Sequence, residues 1–122
     1  MKILIVDDSR LVRIKLKAEL FDRGHTVIEA RDGEEALVRI QKQSPDAVFL
    51  DIILPKLDGC EVLRRLRETH PNLPVVMIST AASDENIAFA NANGALMFIQ
   101  KPYADHEISA ALAKMQQQVE RQ

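Results

Sequence analysis

The chain has 122 residues, of which 47% are hydrophobic, and this is enough for one domain with its own core. A formal net charge of −2 argues against a general nucleic-acid or membrane surface, and the single Cys60 cannot form an internal disulfide. No apolar run approaches the roughly 18 residues of a membrane span. We therefore expect one soluble, cytoplasmic domain over residues 1–122 that binds neither nucleic acid nor membrane.

Five short apolar runs are spaced along the chain, and each is bounded by Pro, Gly, Asp or other polar residues. The runs cover residues 3–6, 26–29, 47–50, 75–78 and 96–99. They are too short for buried helices, and several are rich in β-branched residues, so each is predicted to be a strand. Their near-continuous apolarity indicates a parallel sheet that is covered on both faces.

The stretches between the runs have helical periodicity. In the first stretch one face carries apolar residues at helical spacing, and we expect it to pack on the sheet: Leu11, Ile14, Ala18 and Phe21. Gly24 and Gly94 stand where helices should end, and three aspartates are candidate N-caps: Asp58, Asp84 and Asp105. The stretch 84–93 has few large apolar residues and is the weakest predicted helix.

These elements together predict a doubly wound (βα)5 fold of the flavodoxin type. Its five-stranded parallel sheet has the order 2-1-3-4-5, and such sheets bind ligands at the carboxyl ends of their strands. The polar residues that follow the predicted strands should therefore meet at one edge: Asp7, Asp8, Asp51, Ser79, Thr80 and Lys101.

Three carboxylates at one edge repel one another unless a cation compensates them. Hard oxygen ligands with open positions favour Mg²⁺, and Lys101 adds a further positive charge. A transferring phosphoryl group would find a metal, an ammonium and a hydroxyl for its three oxygens, with ionised Asp51 as the nucleophile. Taken singly, each of these residues could equally be a turn, cap or strand-exit residue.

Four segments carry a resemblance to the receiver domains of two-component response regulators, and in particular to the single-domain CheY-like type. The resemblance covers the whole chain. The first segment is Ile3-Leu4-Ile5-Val6-Asp7-Asp8-Ser9, and the second is residues 48–59, which contain Asp51-Ile52-Ile53-Leu54-Pro55 and Asp58-Gly59. The third is residues 74–79, and the fourth runs from Gly94-Ala95 to Lys101-Pro102.

The resemblance implies that Asp51 accepts a phosphoryl group from a sensor histidine kinase or a histidine phosphotransfer protein. It implies that Mg²⁺ is bound by Asp8, Asp51 and the backbone carbonyl of Ile53, with Asp7 acting through water. Lys101 would pair with the acceptor and then with the phosphoryl group, and its peptide bond to Pro102 would be cis. Beyond its own phosphorylation and dephosphorylation, such a protein is not an enzyme.

The resemblance also implies a switch. Ser79 matches the hydroxyl that moves toward the phosphoryl group, with Thr80 as the rival, and Phe98 matches the aromatic residue that turns inward. The face of the fourth helix, fifth strand and fifth helix would then change for a downstream protein target. We expect the protein to be a monomer, or a weak dimer through the fourth and fifth helices. The first helix, through Arg10, Val12, Arg13 and Lys17, would dock the histidine donor.

Two positions depart from the family pattern. Ile53 is apolar where many relatives have a polar side chain, and Ala81 is small two residues beyond Ser79. Neither side chain can orient the water that hydrolyses an acyl phosphate, so we expect a long-lived phosphorylated state.

Three other interpretations remain. A flavodoxin-like electron carrier would need a phosphate-binding loop where Asp7-Asp8-Ser9 stands, together with aromatic residues to hold a flavin. A phosphatase with an aspartate nucleophile would carry Asp-x-Asp on the first strand, whereas this chain has the adjacent pair Asp7-Asp8 there. The chain is also compatible with a receiver cut from a larger regulator.

Overall fold

The computed structural model describes residues 1–122 and contains one five-stranded sheet with parallel neighbours. The strands are β1 (Lys2–Val6), β2 (Thr26–Ala30), β3 (Ala47–Leu50), β4 (Val75–Ser79) and β5 (Met97–Gln100). Their order is β2-β1-β3-β4-β5, which confirms the predicted fold class and strand order. The predicted strand limits differ from the observed ones by one residue at some ends.

A helix follows each strand. The helices are α1 (Arg10–Asp22), α2 (Gly33–Gln43), α3 (Gly59–Thr69), α4 (Asp84–Ala92) and α5 (Asp105–Glu120). None of the five combines the length and apolarity that crossing a membrane requires. Only Ala90 of α4 is buried, in agreement with the weak apolar pattern of that stretch.

The sheet separates two hydrophobic cores. On one face, α2, α3 and α4 cover side chains such as Leu4, Leu50 and Met77. On the other face, α1 and α5 cover Ile5 and Phe49. Since alternate strand residues point to opposite faces, burial on both faces explains the near-continuous apolar runs.

The strand register brings the polar residues to one edge. Val6 is paired with Leu50, and Leu50 with Met77, so the residues that follow β1 and β3 emerge side by side. Ser79, the last residue of β4, is paired with Gln100, the last residue of β5. Lys101, which follows Gln100, therefore lies at the same edge as the end of β4. We call this end of the sheet the carboxyl edge.

The predicted core face of α1 is wrong. The residues of α1 that are buried are Leu16 and Leu20, whereas Leu11 is 80% and Phe21 72% exposed. The helix carries two apolar stripes, and its periodicity does not say which one meets the sheet. Leu16 and Leu20 join the core that α1 and α5 cover, and the stripe of Leu11, Ile14, Ala18 and Phe21 faces outward.

Two of the three predicted N-caps are also wrong. Asp58 caps α3 as predicted, with its carboxylate accepting from the Glu61 amide at 2.9 Å. The cap of α4 is Ser83, whose hydroxyl accepts from the Asn86 amide at 3.1 Å. The cap of α5 is Ala104. Asp84 and Asp105 instead occupy the first helical positions, where their charge is favourable beside the positive end of the helix dipole.

Candidate functional site

Three carboxylates converge at the carboxyl edge. One oxygen from each of Asp7, Asp8 and Asp51 lies within 4.8 Å of the other two. Asp7 and Asp51 are buried, whereas Asp8 is exposed. Adjacent parallel strands therefore bring together the three acidic residues that the sequence placed at their ends.

Both carboxylate oxygens of Asp7 are occupied by donors from the protein. Oδ1 accepts from the backbone amide of Ser9 at 2.9 Å, and Oδ2 accepts from the ammonium of Lys101. Burial raises the pKa of Asp7 above its ordinary value, although Lys101 and the Ser9 amide act in the opposite direction. The neighbouring charge of Asp51 raises it further.

The carboxylate of Asp51 is oriented by backbone amides on one side and by Lys101 on the other. Oδ1 accepts from the amides of Ile52 at 2.7 Å and Ile53 at 3.3 Å. Oδ2 accepts from the Lys101 ammonium at 2.9 Å. The backbone of the loop after β3 thus fixes the direction of the carboxylate that lies at its start.

Lys101 links two of the three carboxylates. Burial alone would lower its pKa, but hydrogen bonds to Asp7 and Asp51 outweigh that effect, so the pKa of Lys101 is raised. The residue is held in place by its backbone amide, which donates to the Ser79 carbonyl at 3.1 Å, and its peptide bond to Pro102 is cis. The ammonium therefore remains charged between the two acids.

The candidate switch residues lie outside this cluster. Ser79 is fully buried at the end of β4, and its hydroxyl accepts from the Ala81 amide at 3.1 Å, while Thr80 is exposed. The Ser79 hydroxyl makes no hydrogen bond with Asp51. Phe98 on β5 is partly buried against the core beneath α2, α3 and α4.

The cluster fits a hard divalent cation. Its donors are carboxylate oxygens, which suit Mg²⁺, and no hydrogen bond or ion pair occupies the exposed carboxylate of Asp8. The side chain of Ile53 is 59% exposed, in the loop that starts at Asp51. Three of the four predicted donors, the carboxylates of Asp7, Asp8 and Asp51, are thus close enough to one another to share one ion.

Sequence reasoning missed two residues of the site. The sequence predicts Arg13 only as part of a docking surface, yet its Nη1 donates to the Asp7 backbone carbonyl at 2.7 Å. Gly59 lies so close to Asp51 that a β-carbon there would stand 1.9 Å from the Asp51 carbonyl oxygen. The Asp-Gly pair at residues 58–59 was visible in the sequence, but its contact with residue 51 was not.

The family model of the response regulator receiver domain matches residues 3–113. Among curated proteins, the response regulator MprA of Mycolicibacterium vanbaalenii is 43% identical over 112 residues, which are 91% of this chain and 48% of that protein. MprA of Mycobacterium ulcerans is also 43% identical over 112 residues, with the same coverage. The chain thus spans about half the length of the curated relatives that it matches.

Solved structures of similar proteins agree. A CheY-like response regulator receiver domain protein from Methanospirillum hungatei has a TM-score of 0.93 and 29% identity, covering 99% of this chain and 98% of that one. A chain of the CheX–CheY–BeF3–Mg²⁺ complex from Borrelia burgdorferi has a TM-score of 0.87 and 32% identity, covering 92% of this chain and 86% of that one. The chain belongs to the response regulator receiver domain family.

Proposed function

We propose that this receiver accepts a phosphoryl group on Asp51 from a phosphohistidine donor, in a reaction that requires Mg²⁺. One observation carries the proposal: Lys101 pairs with Asp51 Oδ2 while the carboxylate of Asp8 stands free beside it. In the transfer, a carboxylate oxygen of Asp51 bonds to phosphorus as the P–N bond breaks. The imidazole leaves with that electron pair, and the product is an acyl phosphate.

The residues of the cluster divide the work of holding the metal and the phosphoryl group. Asp8 is the residue best suited to bind Mg²⁺ directly, together with Asp51 and the backbone carbonyl of Ile53. Both oxygens of Asp7 already accept hydrogen bonds, which favours a role for Asp7 through water. Bound Mg²⁺ would supply positive charge to the phosphoryl oxygens, and Lys101 would supply a second cation.

The phosphorylated state would be transmitted through Ser79 and Phe98. Phosphorylation adds about −1.5 to −2 charges and three acceptor oxygens, which favours a hydroxyl donor beside them. If Ser79 turns toward the phosphoryl group, its hydroxyl loses the hydrogen bond from the Ala81 amide. Ala81 lies in the short segment that connects β4 to α4. α4 buries only Ala90, so it costs little to shift, and the face of α4, β5 and α5 would change for a downstream protein or for a weak dimer.

The outward stripe of α1 supports docking of the histidine donor there. Leu11, Ile14 and Phe21 are large apolar side chains that are 80%, 51% and 72% exposed, and exposed apolar patches of this kind mark interaction surfaces. Arg10 and Lys17 flank them. The resemblance assigns donor docking to this helix, so the correction to its predicted rotation strengthens that assignment.

The proposed chemistry includes no substrate that is turned over, only phosphorylation and dephosphorylation of Asp51. A flavodoxin-like carrier or an aspartate phosphatase would need different residues where Asp7 and Asp8 stand.

The proposal is tested by incubating the protein with acetyl phosphate and following its intact mass, with and without Mg²⁺. The expected result is a gain of one phosphoryl group that requires both Mg²⁺ and the Asp51 carboxylate, so that Asp51→Asn gains none. Asp46→Asn, which removes a carboxylate at the opposite end of the sheet, is the control and should gain the group normally. No gain in the wild-type protein would overturn the proposal.

A further inference from the structure

We infer that Arg13 is a positioning residue for the metal-binding loop, and that it holds the Asp7–Asp8 peptide so that the Asp8 carboxylate lies beside Asp51. The inference deepens the proposed function and rests on it, because it concerns how the chain prepares itself for Mg²⁺. It does not make Arg13 a ligand, since a guanidinium has no acceptor atom.

Arg13 joins the loop to the neighbouring strand through two hydrogen bonds. Nη1 donates to the Asp7 carbonyl at 2.7 Å, and Nε donates to Glu29 Oε1 on β2 at 3.1 Å. The side chain is only 14% exposed, and the planar guanidinium fixes the angle between its two donors. A side chain that is mostly buried and bonded at two points is a rigid support.

The direction of the Asp8 side chain depends on this support. Asp8 is exposed, and no hydrogen bond of its own carboxylate holds it, so its backbone sets where the carboxylate points. The peptide before it carries the Asp7 carbonyl, to which no backbone amide donates. The Ser9 amide fixes the loop on one side by donating to Asp7 Oδ1, and Arg13 fixes it on the other.

A purely electrostatic role and a positioning role for Arg13 predict opposite changes in Mg²⁺ affinity when Arg13 is removed. A guanidinium near three carboxylates repels a divalent cation, so removing its charge would tighten Mg²⁺ binding. If Arg13 acts by positioning, removing it loosens the loop and weakens Mg²⁺ binding. The sign of the change in affinity therefore separates the two roles.

The test is a calorimetric titration of the folded, unphosphorylated protein with Mg²⁺. Arg13→Met should raise the dissociation constant about tenfold, which is the lower end of what loss of a residue supporting a metal ligand costs. Lys17→Met is the matched control, because Lys17 contacts the same Glu29 carboxylate at 3.3 Å but does not contact the loop. Its dissociation constant should stay within about twofold of the wild-type value.

A second variant keeps the test decisive if Arg13→Met folds poorly. Arg13→Lys retains the charge but loses the planar pair of donors, so it should also weaken Mg²⁺ binding. Unchanged or tighter binding in a folded Arg13 variant would overturn the inference. If the wild-type protein itself fails to bind Mg²⁺, the proposed function has failed instead, and the two failures are distinguishable.

Discussion

Gly59 lies directly against the backbone of Asp51: a β-carbon at position 59 would stand 1.9 Å from the Asp51 carbonyl oxygen. The Gly59 amide also donates to the Ile52 carbonyl at 2.8 Å. The loop that begins at Asp51 therefore folds back onto the start of α3. This contact holds the backbone around the candidate phosphorylation site, and only a residue without a side chain permits it.

Gly59→Ala is expected to destabilise the protein by about 1–3 kcal/mol, because the backbone of the loop must move to admit the methyl group. It should also slow phosphorylation by acetyl phosphate, since the moved backbone carries the acceptor. Urea unfolding and intact mass measure the two effects. Gly24→Ala is the control: its φ of +87° makes it strained, but no atom lies within 4 Å of the added carbon. It should lower stability and leave the phosphorylation rate unchanged, and equal rates in both variants would contradict the prediction.

Asp7→Asn is expected to stabilise the metal-free protein at pH 7, because burial raises the pKa of Asp7 and so disfavours its charged form in the folded state. The folded state then binds the proton more tightly than the unfolded state does. Stability consequently falls as pH rises from the ordinary value of 3.8 through the raised folded value. The Asn side chain does not titrate in this range. The gain in the free energy of unfolding from Asp7→Asn should therefore shrink as pH is lowered through that window.

Urea unfolding in EDTA at several pH values measures this advantage, with the exposed Asp22→Asn as a control that should change stability by less than about 0.5 kcal/mol. Mg²⁺ should reverse the order, because it stabilises the wild-type protein more. A stability gain of Asp7→Asn that does not depend on pH would contradict the raised pKa of Asp7.

Much of the fold and the whole acidic cluster could be predicted because both follow from local patterns. A short apolar run such as residues 47–50 is typical of a parallel sheet that is covered on both faces, and Asp51 then lies at the carboxyl end of its strand. The rotation of α1 could not be predicted in this way, because Leu16 and Leu11 lie on two rival apolar stripes. The contacts of Arg13 with the Asp7 carbonyl and of Gly59 with Asp51 depend on how separate elements pack.

Arg67→Met is expected to cost about 2–3 kcal/mol of stability. The partly buried guanidinium donates to four backbone carbonyls and has no carboxylate partner: those of Asn93 and Pro71 at 2.8 Å, Leu73 at 2.9 Å and His70 at 3.4 Å. These bonds join the end of α3 to the end of α4, and methionine leaves the carbonyls unpaired. Arg65→Met, which removes an exposed ion pair with Glu61, should cost much less. Equal costs in urea unfolding would contradict this.

Ile14→Glu is expected to slow phosphotransfer from a histidine donor by about tenfold, because it places a charge in the outward apolar stripe of α1. Ile14 is 51% exposed, so the substitution should leave the fold intact. The rate with acetyl phosphate, which needs no docking surface, should be unchanged. Val38→Glu, on α2 and 49% exposed, is the matched control and should alter neither rate. A slower reaction with acetyl phosphate would locate the defect in the site rather than in docking.

Ile53→Asn is expected to shorten the lifetime of the phosphorylated protein by about tenfold, because an amide side chain can orient the attacking water and isoleucine cannot. Ile53 lies two residues from the acceptor and is 59% exposed, so the substitution should leave stability nearly unchanged. The decay of phosphorylated mass after removal of acetyl phosphate measures the lifetime. Ile53→Val, which keeps the side chain apolar, should decay at the wild-type rate. If Ile53→Asn decays no faster, the lifetime is set elsewhere, and Ala81→Glu then tests the second position at which this chain departs from its family.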